Sequence, residues 1–213
     1  MAVAKKPGSR KRHPQVSGKK LDARARRTRD ALGDALIGLM QERPFDQIRV
    51  NDVLERAGVG RSTFYDHFRN THDLFQSDAD EFFSFVANTL AEKNAPSERV
   101  APVQEFFAHM REARALIDAI AAAGKLHENF SLAQDHFARG IERRLSQVPR
   151  AASIPEASRP ALAHAQAGAL MSLARFWISR GMKDDPADLD RLFHEQFWGG
   201  ADAIPARPGR AAP

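Results

Sequence analysis

The run Gly58-Val59-Gly60-Arg61-Ser62-Thr63-Phe64-Tyr65-Asp66-His67-Phe68 joins an apolar stripe to an aromatic one through a glycine turn. Upstream, Val50, Val53, Leu54 and Ala57 recur at the three- and four-residue spacing of one buried helix face. Downstream, Phe64 and Phe68 stand at i and i+4, so a helix over 61–68 buries both rings and turns Arg61, Ser62, Thr63, Tyr65 and His67 outward. Two short helices joined by a tight turn make a helix-turn-helix unit. The outward residues are hydrogen-bonding types able to address base edges and phosphates, and a short helix with a presented N-terminus fits a DNA major groove. Gly60 falls at the expected N-cap, where the lack of a side chain lets the helix end approach a phosphate.

On the N-terminal side, Leu21, Ala25, Thr28, Leu32, Ala35, Leu36, Leu39 and Met40 share one helix face, and Pro44 closes that helix. Residues 1–20 mix Lys and Arg with Gly, Pro and Ser, and the expectation is a disordered basic arm, because so little apolar surface cannot offset ordering entropy. On the C-terminal side, Thr71 is the expected N-cap of a fourth helix running to about Asn94, with Asp73 in its first turn. Further helices are expected at about 99–110, 112–122, 126–147, 156–180 and 186–200, punctuated by Gly124, Pro149, Pro155, Gly181 and Pro186. No stretch alternates apolar and polar residues as a strand does. The expected fold is therefore all-α: a three-helix helix-turn-helix domain at 21–70, a larger helical domain at 71–200 and a flexible tail at 201–213.

Charge divides in the same way. Over the whole 213 residues the formal charge is only +5, but residues 1–29 hold 11 of the 32 Lys and Arg and a single acid, Asp22, and so carry +10. The rest carries −5, which points to contact with a polyanion at one end and not to an all-over basic coat. A flexible basic arm beside a reading helix adds affinity through phosphates or a minor groove and makes binding salt-sensitive.

With no Cys there is no disulfide framework, thiolate nucleophile or Cys-ligated zinc. No apolar run approaches the roughly 20 residues of a membrane span, and the N-terminus lacks the apolar core of a secretory signal, so a cytoplasmic protein is expected. His127-Glu128 and His194-Glu195 begin like a metalloprotease motif but lack the second His, and Gly58-Val59-Gly60 lacks the third Gly of a dinucleotide loop. Neither catalysis, metal nor cofactor is expected.

The run V-N-D-V-L-E-R-A-G-V-G-R-S-T-F-Y-D-H-F-R-N-T-H-D-L-F (50–75) resembles the DNA-binding segment of TetR-family transcriptional regulators, in which A-G-V-(S)-x-x-(T)-(aromatic or aliphatic)-Y-x-(H/Y)-F precedes a K-x-x-L helix start. The ending, with Gly168 in an Ala-rich helix, Phe176-Trp177 and Gly181-Met182, is similar to the regulatory domains of one branch of that family. The resemblance implies a repressor that is released from a double-stranded DNA operator by a small-molecule effector. By position it implies base or nearby phosphate contact for Arg61, Ser62 and Thr63, and phosphate contact for Tyr65 and His67. Arg49 and Asn51 would flank the start of the supporting helix.

Three departures stand out: Arg49 where a capping Thr is common, Gly60 where Ser is common, and His72 where a backbone-contacting Lys is usual. The resemblance also implies an effector pocket among the middle helices, for which Phe82, Val86, Phe106, Met110, Phe130, Phe137, Met171, Arg175 and Trp177 are candidates; plain core is the competing reading for each. Ala161, Ala165, Gly168 and Ser172 form a stripe of small residues that lets another helix approach, within the subunit or across a dimer axis. With Leu189, Leu192, Phe193, Gln196 and Phe197 of the last helix, the resemblance implies a homodimer paired through a four-helix bundle. The competing functions are a non-specific architectural DNA protein, separable by competition with bulk DNA, and a small helical enzyme, which would have to show turnover.

Overall fold

The computed structural model describes residues 18–92 and 97–201. Among the described residues the chain forms nine α-helices and no strand. They are α1 (Gly18–Glu42), α2 (Val50–Ala57), α3 (Arg61–Tyr65), α4 (Thr71–Glu92), α5 (Val103–Glu112), α6 (Arg114–Ala122), α7 (Leu126–Leu145), α8 (Arg159–Ser179) and α9 (Pro186–Ala201). Helix α1 begins at Gly18, three residues before the start that the spacing of Leu21 and Ala25 predicts; the rest of the expected arm lies outside the described residues, as does the expected tail beyond Ala201.

The packing divides into two cores. Leu32, Leu36 and Met40 of α1, Val53 of α2, Phe64 of α3 and Phe68 after it form a head with Leu74 and Phe75, which belong to the first turns of α4. Ile120 of α6 joins the same cluster, so the head is sealed from below by a helix of the body. The second core is built from α4, α5, α7, α8 and α9 around Phe106, Phe107, Phe137, Ile141, Met171 and Trp177. Thus α4 belongs to both cores: its beginning completes the head and its Phe83, Val86 and Ala87 are buried in the body.

The start of α4 differs from the expectation. Asn70, not Thr71, is the cap: the Asp73 backbone N–H donates to Asn70 Oδ1 at 2.9 Å, and Asp73 Oδ2 accepts from the Arg69 N–H at 2.9 Å. The first of these bonds satisfies a donor that the helix leaves open, the second ties down the N–H of the residue before the cap, and Thr71 takes the first helical position.

An ionic cluster closes the body. Arg99 donates to Glu105 Oε2 at 2.5 Å and to Asp190 Oδ1 at 2.6 Å, tying the segment before α5 to α9. His194 completes it: its Nε2 accepts the Val100 N–H at 3.0 Å, which makes Nδ1 the protonated nitrogen that donates to the Asp190 carbonyl at 2.7 Å. Burial pushes the Asp190 carboxyl up, but hydrogen bonds from His194 and Arg99 outweigh it and hold the group below its ordinary value. Glu105 is likewise lowered, against its burial, by Arg99.

Because both folded values are depressed, the stabilisation is present above the unfolded carboxylate pKa of about 4 and is lost as pH falls through the folded values. Arg99→Met leaves Asp190, at 13% side-chain exposure, without its guanidinium. The cost expected at pH 7 is about 2 kcal/mol, below the range for a fully buried pair because Arg99 is one-quarter exposed. Urea melts should show that deficit at pH 7 and a smaller one at pH 3.

Candidate nucleic-acid interface

Helix α2 is preceded by Arg49 at its N-cap, whose backbone N–H donates to Asp52 Oδ2 at 2.8 Å. Asp52 therefore supplies the half of a capping box that faces backward, and the missing Thr hydroxyl is the half that is lost. That backbone hydrogen bond lowers the Asp52 carboxyl below its ordinary value, with Arg43 at 3.0 Å contributing further. Helix α2 ends at Ala57 and is capped by Gly58, whose φ of 64° lies in the left-handed region that glycine enters without strain. The chain then turns into α3.

Helix α3 is anchored by its rings. Phe64 is fully buried and Phe68 nearly so, their centroids 5.8 Å apart, and the Phe68 N–H donates to the Phe64 carbonyl at 2.8 Å. The anchoring turns the other face out: Tyr65 is 52% exposed although its ring touches Phe64 edge-on, and Arg61 and Ser62 are exposed, with Thr63 and His67 half-buried. Arg61 Nη2 donates to Asn51 Oδ1 at 2.5 Å, so the structure brings together two of the residues singled out from the sequence, one from α2 and one from α3. Gly60, the N-cap of α3, has an ordinary φ of −71°, and a Cβ placed there meets nothing within 4 Å. Neither conformation nor packing within the chain requires glycine at this position.

His72 departs from its expected place in a DNA-contact set. Lys125 Nζ donates to its Nδ1 at 2.9 Å, which places the ring proton on Nε2, 3.2 Å from Glu128 Oε1. Both ring nitrogens are thus engaged by residues flanking the start of α7, and His72 serves the seam between head and body. Lys125 also lies over the Phe45 ring at 4.9 Å. Its role was not legible from sequence, because no local spacing links position 125 to 45 or 72. Arg29 is a second seam residue, donating to Ser77 Oγ at 2.7 Å while its guanidinium lies 5.6 Å from the Phe68 centroid.

A cavity of about 490 Å³ opens at this seam, between α1 on one side and α4, α5, α6 and α7 on the other. Phe82, Phe106, Met110 and Phe130 of the nine expected pocket residues line it. The other five are elsewhere: Val86, Phe137, Met171 and Trp177 are buried in the body core, and Arg175 is exposed with its guanidinium 5.1 Å from the Phe130 centroid. Helical periodicity marks a residue as inward but does not distinguish a wall of a void from a packed core, which is why the expected set runs too far into the body. Sequence reasoning missed the contribution of α1, which brings Asp30, Asp34, Leu36 and Ile37 to the cavity.

Among the described residues, no group of three or more His, Asp or Glu is placed to hold a metal ion, and no helix is long and apolar enough to cross a membrane.

The sequence model for bacterial regulatory proteins of the tetR family matches residues 33–77, which span the C-terminal part of α1, the α2–turn–α3 unit and the start of α4. An uncharacterized HTH-type transcriptional regulator of Bacillus subtilis, YxbF, is 29% identical over 93 residues, which is 43% of this chain and 23% of YxbF. The match thus spans about a quarter of that relative's length. The fold extends further. The dihydroxyacetone kinase operon activator DhaS superposes with a TM-score of 0.60 at 19% identity, covering 84% of this chain and 98% of DhaS. The TetR family repressor AlkX from a Dietzia strain, implicated in biodegradation of n-alkanes, gives 0.55 at 20% identity over 83% of this chain and 96% of its own.

Proposed function

We propose that the chain is a member of the tetR family of bacterial regulatory proteins, and that it is a homodimeric, sequence-specific DNA-binding regulator that represses transcription in the cytoplasm until a small molecule releases it. One observation carries the reading: α3 anchors Phe64 and Phe68 inside while holding Arg61, Ser62 and Tyr65 outward beside the unobstructed N-cap Gly60. In this reading Arg61, Ser62 and Thr63 address base edges, and Tyr65, His67, Arg49 and Asn51 position the head on phosphates. Two such heads in a dimer meet successive major grooves of a near-palindrome. The effector prefers a dimer whose heads are spaced wrongly, and α4, shared by both cores, transmits the difference.

Support for the dimer comes from what α8 and α9 leave uncovered. Ala161, Ala165 and Ser172 are exposed along one side of α8, which ends in Phe176 at 55% exposure, and α9 adds Leu192 at 44%. Small residues beside two exposed large apolar ones form a surface that a second copy can approach closely and bury. Phe176→Glu should convert the dimer to a monomer in sedimentation equilibrium and abolish competition-resistant operator binding, without lowering helicity. A dimer that persists unchanged would place the interface elsewhere. The regulator reading itself is tested by whether unlabelled bulk DNA displaces the protein from its operator: an architectural protein yields to bulk DNA at equal mass, and a specific regulator does not.

A further inference from the structure

The seam cavity has an apolar interior and an acidic mouth. Phe82, Phe83, Phe106 and Phe130 supply ring surface, and Phe82 is stacked 4.5 Å from the His109 ring. At the mouth, Asp30 and Asp34 of α1 face Asp78 and Glu81 of α4, and among the described residues Arg26 is the only guanidinium on the wall. Arg26 is spent on Glu81, 3.8 Å away in an exposed pair. Among the described residues, no hydrogen bond or ion pair engages the Asp34 or Asp78 carboxylate. Asp78 lies against the α1 backbone, so close that a Cβ on Gly33 would sit 2.5 Å from its Oδ1. Burial, with Asp34, Glu81 and Asp30 nearby, pushes the Asp78 carboxyl above its ordinary value, and Arg29 only partly opposes this.

We propose that the effector of this regulator is a lipophilic cation, its apolar body among the phenylalanines of the cavity and its positive charge between Asp34 of α1 and Asp78 of α4. This rests on the regulator reading and adds the chemical class of its ligand. The cavity is the site, and the acids select what enters it. Ring faces attract a cation in a desolvated setting, and four carboxylates raise its local concentration. An anionic amphipath of the same length, such as a fatty acid, would bring a fifth negative charge to the same mouth. The placement also gives the effector a mechanism. Without it, acids on α1 and α4 repel across the seam; with it, the cation draws the two helices together, and α1 is the helix on which the reading head is built.

The test uses the full chain and three probes below their micellar concentrations: tetraphenylphosphonium, dodecyltrimethylammonium and dodecanoate. Calorimetric titration should show both cations binding at least tenfold more tightly than dodecanoate, and each cation should weaken operator binding measured in the same preparation. The double variant Asp34→Asn/Asp78→Asn should lose at least tenfold in cation affinity while melting at a higher temperature than the parent at pH 7, because like-charge repulsion is relieved. A variant that is more stable yet binds less cannot be explained by misfolding. Dodecanoate binding as tightly as the cations, cation affinity unchanged in the double variant, or no binding of any probe would each overturn the assignment. Operator binding that is intact but unmoved by the cations sinks the ligand class alone; absence of operator binding by the ligand-free protein sinks the regulator reading.

Discussion

Arg61→Ala should weaken binding to the preferred operator by about 100-fold or more and relax the base preference at one position in each half-site. A bidentate arginine contact to a base contributes about 1–3 kcal/mol, and a dimer carries the change twice. The side chain is exposed on α3 and its described partner is Asn51, at 2.5 Å, so nothing in the core depends on it. The unfolding free energy should stay within about 0.5 kcal/mol of the parent, as for other surface substitutions. Tyr65→Phe makes the complementary case. It removes one hydroxyl from a half-exposed ring, leaves the edge contact with Phe64, and should cost about tenfold in affinity with the preferred sequence unchanged, because a phosphate contact positions without specifying. Fluorescence anisotropy on operator and single-base variants reads both effects. If neither substitution alters affinity or preference, α3 is not the recognition helix.

Gly140→Ala is expected to produce the largest loss of stability. Gly140 is buried on α7, and a Cβ there would stand 2.6 Å from the Ala87 carbonyl oxygen of α4 and 3.3 Å from the Ala87 Cβ. Alanine is the better helix former by about 1 kcal/mol, so an unobstructed site would gain stability. Here the obstacle is backbone, which cannot swing aside as a side chain can, and the two helices must separate. Overpacking outweighs propensity, and a net loss of about 2–3 kcal/mol follows. For a chain of this size that lowers the thermal midpoint by roughly 5–10 °C. Ala87→Gly removes only the 3.3 Å contact and should not rescue the variant. An unchanged midpoint would mean that α4 and α7 are not held this closely.

The reading head was legible because its information is local. Phe64 and Phe68 at i and i+4, the apolar stripe of α2 and the turn at Gly58 follow from spacing and backbone freedom; both rings are buried as expected, although α3 ends at Tyr65 and leaves Phe68 just beyond the helix instead of within one over 61–68. The order and approximate limits of the later helices follow from proline and glycine punctuation in the same way. The cap at Asn70 was not legible: the sequence reading takes Thr71, an equally good capping residue next to it, and nothing local chooses between them.

What sequence could not supply is contact between distant segments. His72 reads as a residue of the DNA-facing surface because it follows the recognition motif; only the fold brings Lys125 and Glu128 to its two nitrogens, at 2.9 and 3.2 Å. The cavity was misplaced for the same reason. Its phenylalanines are visible as inward positions, but the α1 wall and its acids become part of it only when α1 lies across α4 to α7. The division of charge shifts accordingly. The basic excess at the start of the sequence directs attention to DNA, while Asp30 and Asp34, a few residues further along, line the cavity with the opposite charge.

In the proposed function the outward face of α3, repeated in a dimer, reads sequence. Selection of bound fragments from a random-sequence DNA pool by the purified protein tests it most directly. The expected result is enrichment of a near-palindrome whose half-sites are centred about one helical turn or a small multiple apart, with the preference lost in Arg61→Ala at one position of each half. A pool that emerges with no enriched motif, or a motif that Arg61→Ala leaves untouched, would contradict it.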